Sequence, residues 1–315
     1  MPFSRRTFLK NVATSAIVAP LATLPLTACE QDHVNEALEV HLFSKHLQFL
    51  DIKNASQIAA ELGFQGLDLT VRPKGHVLPE NVATDLPQAI RDIKASGSNC
   101  QMITTAIADA SNPIDKNVIK TAASLGVKYY RCNWFKYKEN LSIEESLDHY
   151  QEKIRKLSKI NEKHDIIGCY QNHSGIKVGA SVWEVKKILD ASDPAYFGAQ
   201  YDIRHAVAEG GRGWSNGVKL LEKLIKTIVL KDFKWGQVKG KWKIVNVPIG
   251  EGMVDFNAYF TLLKKLGIKP PVSLHLEYPL GGAEKGRSEI TVDKKIVFDA
   301  MKKDLMLIQQ LWKEA

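Results

Sequence analysis

Four apolar segments in the second half of the chain carry their polar residues only near the carboxyl end. They span residues 166–175, 196–206, 227–235 and 270–279. Charged side chains confined to one end of an apolar segment add little to its stability. In parallel α/β proteins, the carboxyl ends of the strands are where ligands bind. We therefore expect a functional site where these four segments end.

Side-chain parity selects the residues that would face this site. Alternate residues of a strand share a face, which predicts that Gln171, Asp202, Lys231 and Glu277 converge at one end of a barrel. Carboxylate, amide and imidazole groups arranged in a ring bind a divalent metal ion or a polyol. The other candidates on these segments are His173, which shares a face with Gln171, Arg204, which shares one with Asp202, His205 at the mouth, and Asp232 beside Lys231.

Polar residues of the earlier segments form a predicted rim around the same site. Asp68 and Arg72 share a face of one strand, and Trp134 is expected either to stack on a substrate ring or to pack in the core. His205 has a similar alternative as a structural histidine, and Lys231 as half of a structural ion pair. The further rim candidates are His46, His76 and Asn133.

The elements that must position these residues alternate between strand and helix. Helical segments ending at Gly63, Gly97, Gly126 and Gly267 stop where a left-handed residue is needed before the next strand. Eight strands and eight helices predict a single (β/α)8 barrel over residues 37–315. The predicted strands lie near residues 37–43, 65–71, 99–105, 127–134, 166–171, 196–203, 225–231 and 271–277. The predicted helices are 55–62, 85–95, 115–125, 143–164, 182–191, 217–224, 256–266 and 292–312.

An open, doubly wound sheet is the alternative fold. Such a sheet usually carries a glycine-rich phosphate-binding turn after an early strand, and the sequence has neither a GxGxxG nor a Walker A pattern. We therefore expect the barrel, and no nucleotide cofactor.

Composition and charge argue against nucleic acid as a partner. The net charge is +8 and 25% of the residues are charged, but the lysines alternate with acids along amphipathic segments such as 153–163. This pattern indicates solvated helix faces rather than a basic binding surface.

Cys100, Cys132 and Cys169 lie inside apolar segments and are expected to be buried thiols rather than a disulfide framework. A homo-oligomer is left open.

The first 36 residues have the pattern of a targeting segment. Arg5 and Arg6 precede a short apolar run that ends near Cys29, which is typical of a twin-arginine lipoprotein signal peptide over residues 1–28. Cys29 would then carry the lipid, and residues 29–36 would be a tether. We expect an exported protein, held at a bacterial membrane by this anchor alone and facing the periplasm or the exterior. A plain signal peptide with an incidental cysteine is the alternative.

Four short motifs resemble a known family in their order and spacing. They are Glu61–Leu69 at the second predicted strand, Asp202–Ala206 at the sixth, Leu230–Asp232 at the seventh and Glu277 closing the eighth. In these motifs the chain resembles the xylose isomerase-like TIM barrels, in particular the sugar phosphate isomerases and epimerases, over essentially all residues after the leader. The resemblance implies a barrel that acts on a small sugar.

The resemblance also implies where a metal ion would bind. Metal-dependent members hold a divalent ion through a Glu, an Asp, a His and a Glu at the ends of strands five to eight. Asp202 and Glu277 match two of these positions, and Gln171 and Val229 occupy the other two. A divalent Mn, Mg or Zn ion is therefore one alternative. The other is that the Lys231 ammonium stabilises an enolate oxygen as a metal would.

The chemistry that the resemblance implies is proton abstraction next to a carbonyl group. We expect Glu277 as the base, His173 or Lys231 as the acid, and Arg204 and His205 as ligands of substrate hydroxyl or acidic groups. The expected function is a sugar isomerase or epimerase that acts on a free or keto-sugar through an enediolate. A 3-keto-glycoside lyase and a non-catalytic sugar-binding lipoprotein are the alternatives.

Overall fold

The structure, a computed structural model, describes residues 37–315. The predicted leader of residues 1–28 and the predicted tether of residues 29–36, with Cys29, lie outside the described residues. Within residues 37–315, no helix combines the length and the apolar character needed to cross a bilayer.

Eight parallel strands close into a barrel, which confirms the predicted fold. The strands of the chain are β1 (Val40–Phe43), β2 (Gly66–Val71), β3 (Asn99–Thr105), β4 (Tyr129–Arg131), β5 (Ile167–Gln171), β6 (Phe197–Asp202), β7 (Ile225–Leu230), β8 (Asp232–Val238), β9 (Lys241–Val247) and β10 (Val272–Leu274). The order around the barrel is β1, β10, β7, β6, β5, β4, β3, β2, and β2 pairs with β1. The barrel strands are almost entirely buried, as parallel strands covered by helices must be.

Helices cover the outside of the barrel. In the described part of the chain they are α1 (Ile52–Leu62), α2 (Val82–Ala95), α3 (Pro113–Ser124), α4 (Ile143–His164), α5 (Val182–Leu189), α6 (Ile203–Gly210), α7 (Trp214–Leu221), α8 (Phe256–Lys265) and α9 (Lys294–Glu314). Each packs its apolar face on the strands, so that the core lies between the two layers.

Capping residues define the ends of several helices. Ser142 and Glu145 form a capping box at the start of α4. α1 ends at Gly63, whose φ of 94° lies in the left-handed region expected for a terminal glycine. The side chain of Asp202 accepts the backbone N–H of His205 and so starts α6. A helix cap therefore fixes one carboxylate of the predicted site.

Four parts of the fold differ from the predicted elements. β4 and β10 are shorter than expected, so Glu277 lies beyond its strand rather than inside it. The helix predicted at 217–224 is α7, which begins earlier and is preceded by the separate helix α6. Residues 232–247 form the antiparallel hairpin β8–β9. Its turn has φ values of 52° at Lys239 and 74° at Gly240, the conformation of a two-residue hairpin loop.

Candidate active site

A cavity of about 220 Å³ lies at the carboxyl ends of the barrel strands. Eight of the predicted site residues line this cavity, and four further residues complete it. The predicted residues are Arg72, Trp134, Gln171, His173, Arg204, His205, Lys231 and Glu277, and the others are Phe43, Lys45, Arg131 and His275. They lie at or just beyond the ends of seven strands. Closure of the barrel is therefore what brings them together.

Asp202 and Lys231 form a buried ion pair beneath the cavity. Lys231 Nζ lies 3.1 Å from Asp202 Oδ2, and the same oxygen accepts a hydrogen bond of 2.8 Å from Gln171 Nε2. Lys231 Nζ also lies 2.9 Å from His205 Nε2. Asp202 is fully buried, and its other oxygen caps α6. The pair therefore holds the ammonium group in a fixed position at the cavity wall.

Glu277 presents a carboxylate to the same cavity. Its Oε1 lies 3.3 Å from Lys45 Nζ and 3.8 Å from His275 Nδ1, and its side chain is 27% exposed. Burial alone would raise the pKa of Glu277, but His275 and the positive charges of Lys231 and Lys45 outweigh burial and hold this pKa well below its usual range. The carboxylate is therefore ionised at neutral pH.

Two histidine rings lie against each other beside Lys231, tilted by 36°. The ring centroids of His173 and His205 are 4.1 Å apart, and Trp134 meets His173 edge-on at 4.5 Å. Burial, followed by the charge of Lys231, lowers the pKa of His173 to about 4 and that of His205 well below its usual value. Both rings are neutral at pH 7.

A hydrogen bond selects the tautomer of His173. His173 Nδ1 lies 2.8 Å from the backbone oxygen of Ser174, so the proton sits on Nδ1 and the Nε2 lone pair remains. His205 faces a cationic donor at each ring nitrogen: Lys231 Nζ lies 2.9 Å from Nε2, and Arg204 Nη1 lies 2.9 Å from Nδ1. Ser174 Oγ lies 2.8 Å from the same Nδ1. A neutral His173 of this tautomer accepts protons at Nε2 and has none to give there.

Six predicted site residues do not line the cavity. Asp202 lies just behind the wall and acts through Lys231, as described above. His46 is fully buried: its Nδ1 donates to the backbone oxygen of Ala283, and its Nε2 accepts the backbone N–H of Leu276. We therefore reassign His46 from substrate binding to positioning the segment that carries Glu277.

The other four residues also have structural roles. Asp232 accepts backbone N–H groups of the segment after the hairpin. Asp68 is buried and accepts from Thr104 and Ser273. The remaining two are His76, which pairs with Thr70 Oγ1 at 3.2 Å, and Asn133, whose oxygen accepts the backbone N–H of Trp134. None of these four residues lines the cavity. His76 Nε2 has no hydrogen-bond partner in the described part of the chain, and a substrate contact by any of the four stays a prediction.

Of the four other lining residues, Lys45 follows the first predicted strand and belongs to the expected rim. The remaining three differ in how clearly the sequence indicates them. Arg131 follows Tyr129 and Tyr130 in a predicted strand, but Lys128 earlier in that strand weakens the pattern that revealed the four later segments. His275 shares a face with Glu277, and its ring stacks on Phe43 at 4.2 Å. Phe43 itself carries no signal, because an apolar residue at a strand end is typical of core packing.

The donor set does not fit the metal site that the resemblance implied. Asp202 Oδ2 is already engaged by an ammonium group and by the amide N–H of Gln171. Val229, at the expected histidine position, is buried and has no donor atom. Among residues 37–315, no group of three or more His, Cys, Asp or Glu side chains is arranged to hold an ion. A valine therefore stands at one ligand position, and an ammonium group occupies the carboxylate that the ion would need.

Closed (β/α)8 topology and a polar cavity at the carboxyl ends of the strands define a TIM-barrel protein with its site on the usual face. The chain belongs to the xylose isomerase-like TIM barrel family, whose model matches residues 56–292. The resemblance inferred from the four motifs is thereby confirmed. A comparison with curated proteins gave no match.

Three solved structures have the same fold at low sequence identity. A 3-keto-D-glucoside 4-epimerase from E. coli has a TM-score of 0.62 and 12% identity, covering 85% of this chain and 99% of that chain. A D-allulose 3-epimerase from Methylomonas sp. has a TM-score of 0.65 and 15% identity, with 88% and 98% covered. A xylose isomerase-like TIM barrel protein from Mycobacterium smegmatis, in complex with magnesium, has a TM-score of 0.62 and 12% identity, with 87% and 98% covered.

Proposed function

We propose that the protein is an isomerase or epimerase of a free or keto-sugar, which removes a proton next to the substrate carbonyl group and forms an enediolate. One observation carries this proposal: the buried Asp202–Lys231 pair presents an ammonium group to a cavity that also contains the ionised carboxylate of Glu277. Family membership and the two sugar epimerases of the same fold support the class of substrate.

Lys231 is the group that stabilises the developing oxyanion. Two of its three N–H donors are directed at Asp202 and His205, which leaves one for a substrate oxygen. A donor already held in place does not have to reorganise as negative charge appears on that oxygen, and this preorganisation lowers the barrier. Because His173 has no proton at Nε2, we assign protonation of the oxygen to Lys231 rather than to His173.

Glu277 is the base in this proposal. Its low pKa makes it available in the ionised form but weakly basic, so a large share of the barrier reduction must come from Lys231. The Nε2 lone pair of His173 is a second acceptor, at the end of β5, which is separated from β10 by β6 and β7. Groups on two sides of the substrate suit epimerisation, and Glu277 alone is sufficient for transfer of a proton between adjacent carbons.

Proton exchange with solvent tests the proposal directly. Full-length protein is incubated in D2O with D-fructose, D-allulose and a 3-keto-glucoside, and the proton next to each carbonyl is followed by NMR. We expect exchange with at least one of these sugars, its loss in Glu277→Gln, and sugar affinity that stays within about threefold. Glu61→Gln, an exposed position on α1, is the matched control.

Each other outcome identifies a different function. An exchange rate in Glu277→Gln equal to that of the wild type removes Glu277 as the base. Binding of sugars without any exchange supports the sugar-binding alternative. Release of the aglycone from the keto-glucoside identifies the lyase, which shares the first proton abstraction and differs in what the enolate does next.

A further inference from the structure

The cavity has more positive than negative charge. Five cationic side chains line it, and Glu277 is the one carboxylate among its lining residues. Asp202 and Asp68 are buried behind the wall, and even with both counted, the cations outnumber the carboxylates. Lys45 is paired with Glu277 and Lys231 with Asp202. The excess therefore lies in the guanidinium groups, of which Arg72 and Arg131 are the least satisfied.

Arg131 is buried without a full set of partners. It is 4% exposed, its guanidinium carbon lies 4.1 Å from the centre of the Trp134 ring, and Nη2 approaches the backbone oxygen of Thr105 at 3.4 Å. Nη1 is buried and has no hydrogen-bond partner among residues 37–315. Burial, and secondly the nearby charge of Arg72, lowers the pKa of Arg131 to about 10, so the group remains charged.

Arg72 lies on the same part of the wall. Its guanidinium carbon is 5.3 Å from the centre of the Phe43 ring, and the described residues offer its guanidinium no hydrogen bond and no carboxylate within 4.0 Å. Asp68 is the acid whose charge acts most strongly on Arg72, but the oxygens of Asp68 accept from Thr104 and Ser273. Two guanidinium groups thus share one wall without a carboxylate bound between them.

The barrel places this pair across the cavity from Lys231. Arg72 follows β2 and Arg131 ends β4, which flank β3, and β3 lies on the side of the closed barrel opposite β7. Lys231 follows β7. Glu277 follows β10, which lies opposite β4 and is separated from β2 by β1 alone. One small molecule in the cavity would therefore have its carbonyl end near Lys231 and its other end near the two arginines.

We propose that the substrate is an acidic sugar, and that Arg72 and Arg131 bind its anionic group. Burying two like charges is costly unless an opposite charge compensates them, and the planar fork of arginine suits the paired oxygens of a carboxylate or a phosphate. The inference deepens the proposed function and rests on it for the position of the reacting end.

Calorimetric titration at pH 7 compares charged and neutral sugars of the same shape. The probes are D-glucuronate against D-glucose, D-galacturonate against D-galactose, and D-glucose 6-phosphate, which distinguishes a phosphate from a carboxylate. Charge-assisted hydrogen bonds to one arginine predict at least one acidic probe that binds about 10- to 100-fold more tightly than its neutral counterpart. If no acidic probe binds at least tenfold more tightly, the inference is overturned.

Variants assign the preference to the arginine pair. Arg72→Gln is expected to lose about 10-fold in affinity for the acidic probe and less than threefold for the neutral one, and Arg131→Gln to do the same if it folds. The matched control is Arg91→Gln, on the exposed face of α2. An unchanged preference in Arg72→Gln contradicts the assignment. Because these titrations measure binding, they fail or succeed independently of the proton-exchange test of the reaction.

Discussion

We predict that the contributions of Asp202 and Lys231 to the stability of the fold depend strongly on each other. Lys231→Met removes the ammonium group from a fully buried carboxylate, whose distance to Lys231 Nζ is 3.1 Å. Breaking a buried ion pair by removing one partner costs about 3 to 5 kcal/mol, because an uncompensated charge remains. The unfolding entropy of a chain of this size makes each kcal/mol worth about 1.6 °C, so the melting temperature should fall by about 5 to 8 °C.

A double-mutant cycle separates this coupling from a general packing defect. Asp202→Asn keeps an N-cap for α6 and removes the charge, so Lys231→Met in that background should cost less than half as much as in the wild type. Lys223→Met, an exposed lysine, is the control and should change the melting temperature by about 1 °C or less. Differential scanning calorimetry of the four proteins measures the cycle. Additive effects of the two substitutions would refute the buried pair.

Three further predictions concern Asp232 and His46, whose contacts in the structure are with the backbone, and Cys29, which lies outside the described residues. Asp232→Ala should lower the melting temperature by about 4 °C or more, because several backbone N–H groups lose their acceptor, while sugar affinity of the folded protein stays within about twofold; a selective loss of affinity would restore Asp232 to the binding site. Burial lowers the pKa of His46 to about 3, so folding excludes a proton that the unfolded chain binds below about pH 6.5. The difference in stability between wild type and His46→Gln, measured by thermal unfolding, should therefore decrease as the pH falls from 7 to 4.5. A difference that increases over this range would contradict a neutral His46 ring. Cys29→Ala should move the protein from the membrane fraction to the soluble fraction of the producing cells, and retention at the membrane would disprove lipidation at Cys29.

The sequence predicted the barrel and most of its polar mouth for one physical reason. Parallel strands align their carboxyl ends, so alternate residues on neighbouring strands point to the same side at the same height. Asp202, for example, pairs with Val229 across β6 and β7, two residues before Lys231. This periodicity is encoded locally, as are the glycine and aspartate caps. It correctly brought Gln171, Lys231 and Glu277 to one cavity.

Side-chain partners were not predictable in the same way. His46 and Asp232 follow strand ends as a ligand would, but their polar atoms are used by backbone groups that are distant in sequence. The hairpin β8–β9 was missed because its strands are largely exposed and have no apolar run. Arg131 lies in a predicted strand, but its unpartnered Nη1 depends on the packing of Trp134 and Thr105 around it.

The central claim is that the Lys231 ammonium stabilises the enediolate oxygen. The most direct measurement is the rate of deuterium incorporation next to the carbonyl of the best keto-sugar in D2O, for wild type, Lys231→Met and the control Lys223→Met, with and without added Mg²⁺ or Mn²⁺. Loss of one preorganised donor predicts a rate that is about 100-fold or more lower in Lys231→Met, at a sugar concentration that saturates the protein, and unchanged by either metal. A Lys231→Met protein that exchanges at the wild-type rate, or regains that rate when metal is added, would contradict the claim.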